Sequence, residues 1–174
     1  VGTLENLNGA GHISLANGTA YGEPYESAVA DLSVQGEDIG ANHVLVKLHG
    51  MQIAGNGGYD LATKKLHGHI DGHGLVLSKF ATVQRAERGV DGVVSIVADA
   101  NGTLSEPGLK ASLKITGATY EGHPIGDAAA EMHSQGTTLY VTANSNLVGA
   151  KLDAAGQVQL DGDHQAQAKL TAAG

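Results

Sequence analysis

The sequence predicts an all-β protein, an elongated antiparallel sheet built from repeated strand units. Three observations lead there. Apolar and polar residues alternate with a period of two through most of the 174 residues. Twenty-six glycines and three prolines interrupt those runs at short intervals, which suits tight turns and few long helices. The chain also repeats itself at a shift of 100 positions.

Each alternating run sorts its side chains onto two faces, because successive residues of a strand point opposite ways. In HISLANGTAY, Ile13 and Leu15 oppose His12, Ser14 and Ala16. In AVADLSV, Ala30, Leu32 and Val34 oppose Asp31 and Ser33. In NHVLVKLHG, Val44, Val46 and Leu48 oppose Lys47 and His49, with Leu45 the exception. KKLHGHIDG sets Leu66 and Ile70 against Lys65, His67, His69 and Asp71. In LKASLKITG, Leu109, Ala111, Leu113 and Ile115 face away from Lys110, Ser112, Lys114 and Thr116. Antiparallel strands with one dry face and one wet face give this pattern.

Turn chemistry separates the runs. Asn17-Gly18, Asn56-Gly57 and Asn101-Gly102 are expected where positive φ is needed, as in hairpin turns. Pro24, Pro107 and Pro124 fall at strand junctions, where a missing N–H does least harm. Residues 81–89, ATVQRAERG, could form a short helical turn but read as a loop between two halves. The expectation is ten to twelve strands with little or no helix.

Shifting by 100 places Gly2-Thr3-Leu4 on Gly102-Thr103-Leu104, and Ile13 and Leu15 on Leu113 and Ile115. Gly22 and Pro24 meet Gly122 and Pro124, and Gln35-Gly36 meets Gln135-Gly136. The register holds to about residue 40 and then slips by one or two. The chain therefore reads as one continuous repetitive β segment. Its related units cover approximately 1–80 and 101–174, with a linker over 81–91. Such units stack by burying a shared face.

Composition excludes several functions. A formal charge of −8 opposes nucleic-acid binding, which needs clustered Lys and Arg. Without cysteine there is neither a disulfide framework nor a thiolate zinc site. No apolar run approaches the ~20 residues that span a bilayer as a helix. Starting on Val1 inside a strand pattern, the chain reads as a fragment or mature segment of something longer.

The densest cluster of chemistry-bearing residues is His67, His69, Asp71 and His73, at every second position of one run. Imidazoles spaced H-x-H can chelate a transition metal, and a carboxylate two residues on could join them. Their parity, opposite to Leu66 and Ile70, makes them a solvent-facing surface, and no metal is expected. The Asn17-Gly18-Thr19 and Asn101-Gly102-Thr103 sequons are explained by their Asn-Gly dipeptides. GNGG at 55–58 lacks the Lys-Ser/Thr of a phosphate loop, and no G-x-S-x-G elbow occurs. No enzyme and no cofactor are expected.

The stretch GNGGYDLATKKLHGHIDGHGL resembles the strand-turn-strand unit of the TamB and AsmA-like families, in which a G-x-Y-D-L strand precedes a polar turn. GTLSEPGLKASLKITGATYEG is similar to their G-T-L-x-x-P-x-L lead into a long strand, and GHPIGDAAAEM to the strand after the turn. GTLENLNGAGHISLANGTAYG and GEPYESAVADL are weaker copies, so the resemblance covers nearly the whole chain. Leu7 stands where the second copy has Pro107, so the first lead-in motif is incomplete.

The resemblance implies a sheet curled into a U-shaped, apolar-lined trough, the β-taco. It implies a segment of a periplasm-spanning conduit in a diderm bacterium, anchored in the inner membrane. Such a conduit shields lipid acyl chains between the two membranes, with a linked role in outer-membrane protein assembly. Its partners would be those acyl chains and, through the full-length protein, an Omp85-type outer-membrane protein. The expected lipid-groove residues are Ile13, Leu15, Leu32, Val34, Val44, Val46, Leu66, Ile70, Leu113, Ile115, Leu139 and Val141.

Two other readings stand beside this one. The first is a self-packed structural repeat module of a secreted or cell-surface protein. The second is a metal-dependent binding module using His67, His69 and His73. Exposed sheet edges and an apolar face also make self-association an expectation.

Overall fold

The computed structural model describes residues 7–146, 149–161 and 165–173. The alternating runs form eleven strands in one antiparallel sheet, and their order in space is their order in sequence. In the first part these are β1 (Asn8–Ala20), β2 (Glu23–Gln35), β3 (Asp38–Leu48), β4 (Met51–Asp60), β5 (Lys65–Val76) and β6 (Val90–Thr103). β7 (Pro107–Tyr120), β8 (His123–Gln135), β9 (Thr138–Ser145), β10 (Lys151–Gln159) and β11 (Ala166–Ala173) follow. Among the described residues β1 and β11 are the two edges, and the sheet is not closed.

The tight turns are not where the Asn-Gly dipeptides predict them. Tyr21-Gly22, His49-Gly50 and Glu121-Gly122 join strand pairs with positive φ at both residues, the geometry of a type I′ turn. Asn17-Gly18, Asn56-Gly57 and Asn101-Gly102 instead lie inside β1, β4 and β6. Glycine at the second turn position is enough to set the turn, and several residue types tolerate the first. Asn17 and Gly102 do adopt positive φ, but within strands, and residues 56 and 57 do not.

The segment expected to be a loop is a short helix. After β5 comes a 3-10 turn, Leu77–Lys79, then α1, Ala81–Ala86. Ala81, Gln84, Arg85 and Ala86 are good helix formers, but six residues are too few to hold a helix alone. The end of the expected linker, residues 90–91, already belongs to β6. β5 pairs with β6 from Lys65↔Thr103 to Val76↔Val93, so the sheet runs on past this insertion.

Positions 100 apart occupy equivalent places in the ladder. Leu15 pairs with Ala28 and Ile115 with Ala128, while Val34 pairs with Ile39 and Ser134 with Leu139. The slip after residue 40 has a visible cause. The β2–β3 register shifts between Val29 and Asp31, where β3 holds an extra residue and His43 takes φ 48°. The β8–β9 ladder has no such shift. Beyond the bulge Val29 pairs with Leu45 while Ala129 pairs with Asn144, a spacing of 99 on the second strand.

Little of this sheet is buried. Among the described residues only Leu48, Leu75, Val94 and Ala118 are buried apolar side chains. The chain exposes 11190 Å², whereas a compact monomer of 17.6 kDa exposes about 7,900 Å². The excess is the signature of a single layer that no second layer covers.

Candidate functional site

Directly paired residues of neighbouring strands project from the same face, so the register sorts the side chains. Starting at Leu15, the pairs lead through Ala28, Val46, Ile53, Gly72 and Ile96 to Leu113. They continue through Ala130, Ala143 and Ala154 to Leu170. This row crosses all eleven strands without one polar side chain. A second row runs from Val44 through Gly55, Ile70, Ala98 and Ala111 to Met132, Val141, Gly156 and Ala168.

The remaining expected groove residues fall on the same face. Val34 connects through Ile39 and Tyr59 to Leu66, and Leu32 pairs with Ala41. Ile13 pairs with Ala30, Ile115 with Val94 and Ala128, and Leu139 with Val158. All twelve therefore share one side of the sheet. Their side chains are half-buried or exposed, with Ile13, Leu15, Leu32, Ile70 and Leu113 exposed. A hollow of about 270 Å³ lies on this face, bordered by Leu113 and Ile115 of β7, Ala130, Ala143, Leu152 and, at the far edge, Leu170.

The other face is wet. A row runs from Asn56 through His69, Asp99, Lys110, His133 and Tyr140 to Gln157 and Gln167. Leu45, the exception to the alternation, also sits on this face, against Val29 and Ala54. The histidines of β5 do not converge on a common point. His69 Nδ1 lies 2.7 Å from Asp99 Oδ1, and His73 Nε2 lies 3.3 Å from Asp71 Oδ1. His67 packs over Gly58. Among the described residues, no three carboxylates or imidazoles group to hold a metal.

His12 and His43 flank one carboxylate, Asp31, at 2.7 and 3.2 Å. The His12 contact, with His43 adding to it against desolvation, holds that carboxyl below the usual aspartate range. Cross-strand His–Asp pairs depend on register, which alternation alone does not supply. His164 lies outside the described residues.

One cluster escaped the sequence reading entirely. The Glu23 carboxylate accepts hydrogen bonds from the N–H of Ala81 and Thr82 and from the Thr82 hydroxyl. It also lies 3.4 Å from His49 Nε2. Lys79 Nζ donates to the His49 carbonyl, and an Arg85 guanidinium nitrogen donates to the Gly22 carbonyl. The Phe80 ring meets His49 edge-on at 6.1 Å. At its other end the Glu121 N–H donates to the Gly89 carbonyl. The 77–89 segment is thus tied to strand ends from β2 to β7, at the same end of the strands as Leu48, Leu75 and Val94. Desolvation raises the Glu23 pKa, but the Thr82 and Ala81 donors outweigh it and hold the carboxyl at about 2. No signal in the sequence of 81–86 points to a partner 58 residues earlier.

Comparison with protein families, with characterised proteins and with solved structures finds no match.

Proposed function

We propose that the apolar face shelters lipid acyl chains, and that the chain is a non-catalytic segment of a TamB-like or AsmA-like conduit. The observation that carries this reading is the unbroken apolar row from Leu15 to Leu170, left without a covering layer. Exposing such a surface in water is unfavourable by ~25 cal/mol per Å², so a ligand or partner is expected to occupy it.

Curvature supports the choice of a narrow ligand. Leu113 and Leu170 stand four strands apart, roughly 19 Å on a flat sheet at ~4.8 Å per strand. Both border one hollow of about 270 Å³. A sheet curled toward its dry face into a trough accounts for that. The small side chains along the rows, Ala130, Ala143 and Ala154 among them, leave room for methylene chains. The motif order supports placing the conduit in the periplasm of a diderm bacterium, between an inner-membrane anchor and an Omp85-type partner.

Neither apolar row carries a cation, so binding follows chain length and not headgroup. A photoreactive residue at Ile70 or Val141 is expected to crosslink fatty-acid and phospholipid probes alike. Each buried methylene should strengthen binding by about 0.8 kcal/mol. A strong preference for one headgroup, unchanged by chain length, would defeat this reading. Failure of every acyl probe to crosslink would favour a self-packed structural module.

A further inference from the structure

We infer that residues 77–89 close one end of the trough, so that an acyl chain lying along the dry face stops against them. The ligand in this inference rests on the acyl-chain reading, and the closure rests on the fold alone. A sheet curled across its strands makes a trough that runs along them and ends where they end.

Burial is concentrated where this segment crosses the sheet. Among the described residues the fully buried ones are Leu48, Gly72, Leu75, Gly92, Val94 and Ala118. All lie within four residues of the strand ends that 77–89 crosses. Leu48 follows Val46 by two residues on β3, and Leu75 pairs with Val94, which pairs with Ile115. These three therefore belong to the dry face. At the opposite strand ends Val34, Leu66, Leu109 and Leu139 are only half-buried, and Ile39 is exposed. The connections there, from β2–β3 to β8–β9, have two to four residues, too few to lie across the face.

The segment has the inward stripe that a cover needs. Leu77, Phe80, Ala81 and Gln84 recur at helical spacing and are half-buried, with Val83 beside them. Ser78, Lys79, Thr82 and Arg85 are exposed. Where the chain leaves β5, the Val76 N–H donates to the sulfur of Met51, the partner of Leu48.

The hold on the segment is polar and reversible. Glu23 clasps Ala81 and Thr82, Arg85 bonds the Gly22 carbonyl, and Lys79 bonds the His49 carbonyl. Freed of these bonds, six residues do not keep a helix. Release would uncover Leu48, Leu75 and Val94 and lengthen the groove.

Cysteine modification of the whole 174-residue chain, which has no cysteine of its own, reads the closure without lipid. The thiol of Val94→Cys should react with a maleimide at least about tenfold more slowly than that of Ile39→Cys at the open end. Replacing 78–88 by glycine and serine at the same length should speed Val94→Cys by about tenfold or more and leave Ile39→Cys unchanged. Thr82→Asp, which sets a second carboxylate against Glu23 and keeps every strand residue native, should act in the same direction. Equal rates at the two sites in the parent, or no acceleration in the Gly-Ser chain, overturns the inference.

Fatty acids of rising length then read the stop. Affinity for the parent should rise by about fourfold per methylene to a limiting length and level off there. The Gly-Ser chain should level off at a greater length. The same limit in both chains overturns the stop. If no fatty acid binds while the cysteine rates differ as expected, the stop falls with the lipid reading and the closure stands.

Discussion

The Glu23 carboxylate on β2 accepts a hydrogen bond of 3.0 Å from the N–H of Ala81, the first residue of α1. A helix leaves its first N–H groups unpaired, and here a side chain from a distant hairpin satisfies them. The N-cap residue, Phe80, makes no side-chain cap of its own. Glu23 therefore supplies the cap for six residues that are too few to hold a helix alone.

The docked carboxyl titrates near 2 against 4.5 for a free one, so docking favours the ionised form. Its contribution, on the order of 3 kcal/mol for a side chain only 15% exposed, is complete above about pH 4.5 and is lost as pH falls through about 2. Phe80 is the sole phenylalanine, so a fluorinated ring there gives one resonance. That resonance should move to its free position across this window, and Glu23→Gln should move it at pH 7. If it stays put in both cases, Glu23 does not hold the segment.

Replacing His67, His69 and His73 together by Ser should change stability by no more than about 1 kcal/mol. Their partners, Asp99 and Asp71, lie in water, where such pairs are worth little. Calorimetry with zinc and nickel should show no tight stoichiometric site in the parent protein. A lost metal together with a loss of several kcal/mol would make these histidines ligands.

Val46→Arg separates an open trough from a sealed core. Val46 lies between Ala28 and Ile53 in the long apolar row. On an open face the guanidinium reaches water, so the sheet should melt cooperatively with modest loss, and lipid crosslinking should stop. Removing that charge from water would cost several kcal/mol. Unfolding would indicate a self-packed face, and a folded variant that still crosslinks lipid would remove Val46 from the binding path.

Two glycine-to-alanine changes should act with opposite sign. A Cβ at Gly11 or at Gly117 meets nothing within 4 Å, so neither substitution clashes. Gly11 has ordinary strand φ, and Gly11→Ala should stabilise by about 0.5–1 kcal/mol through reduced freedom of the unfolded chain. Gly117 adopts φ +60° at a bulge of β7, and Gly117→Ala should destabilise by about 1–2 kcal/mol. Urea midpoints measure both, and equal shifts would refute the bulge conformation.

Which residues share a face was legible in the sequence, because the side-chain period of a strand is two whatever its neighbours are. Leu66 and Ile70 could be set against His67 and His69, and the twelve dry residues chosen, without knowing which strand pairs with which. Leu15 and Ile115, 100 positions apart, hold equivalent places in ladders of the same register. Turn placement was read less well. Asn-Gly is a strong hairpin signal, yet here Tyr21-Gly22 and His49-Gly50 turn the chain while Asn56-Gly57 stays extended. Pairing on both flanks overrode the local preference.

The tertiary structure alone decided what depends on residues far apart meeting. Register put Asp31 between His12 and His43, because one inserted residue in β3 brought His43 there. The bonding of Glu23 to Ala81 and Thr82 decided that residues 81–86 are helix. The pairing of all eleven strands into one open sheet decided that, among the described residues, no second layer lies over the dry face. Period-two alternation prescribes two faces and is silent on what covers them, since a closed sandwich and an open sheet alternate alike.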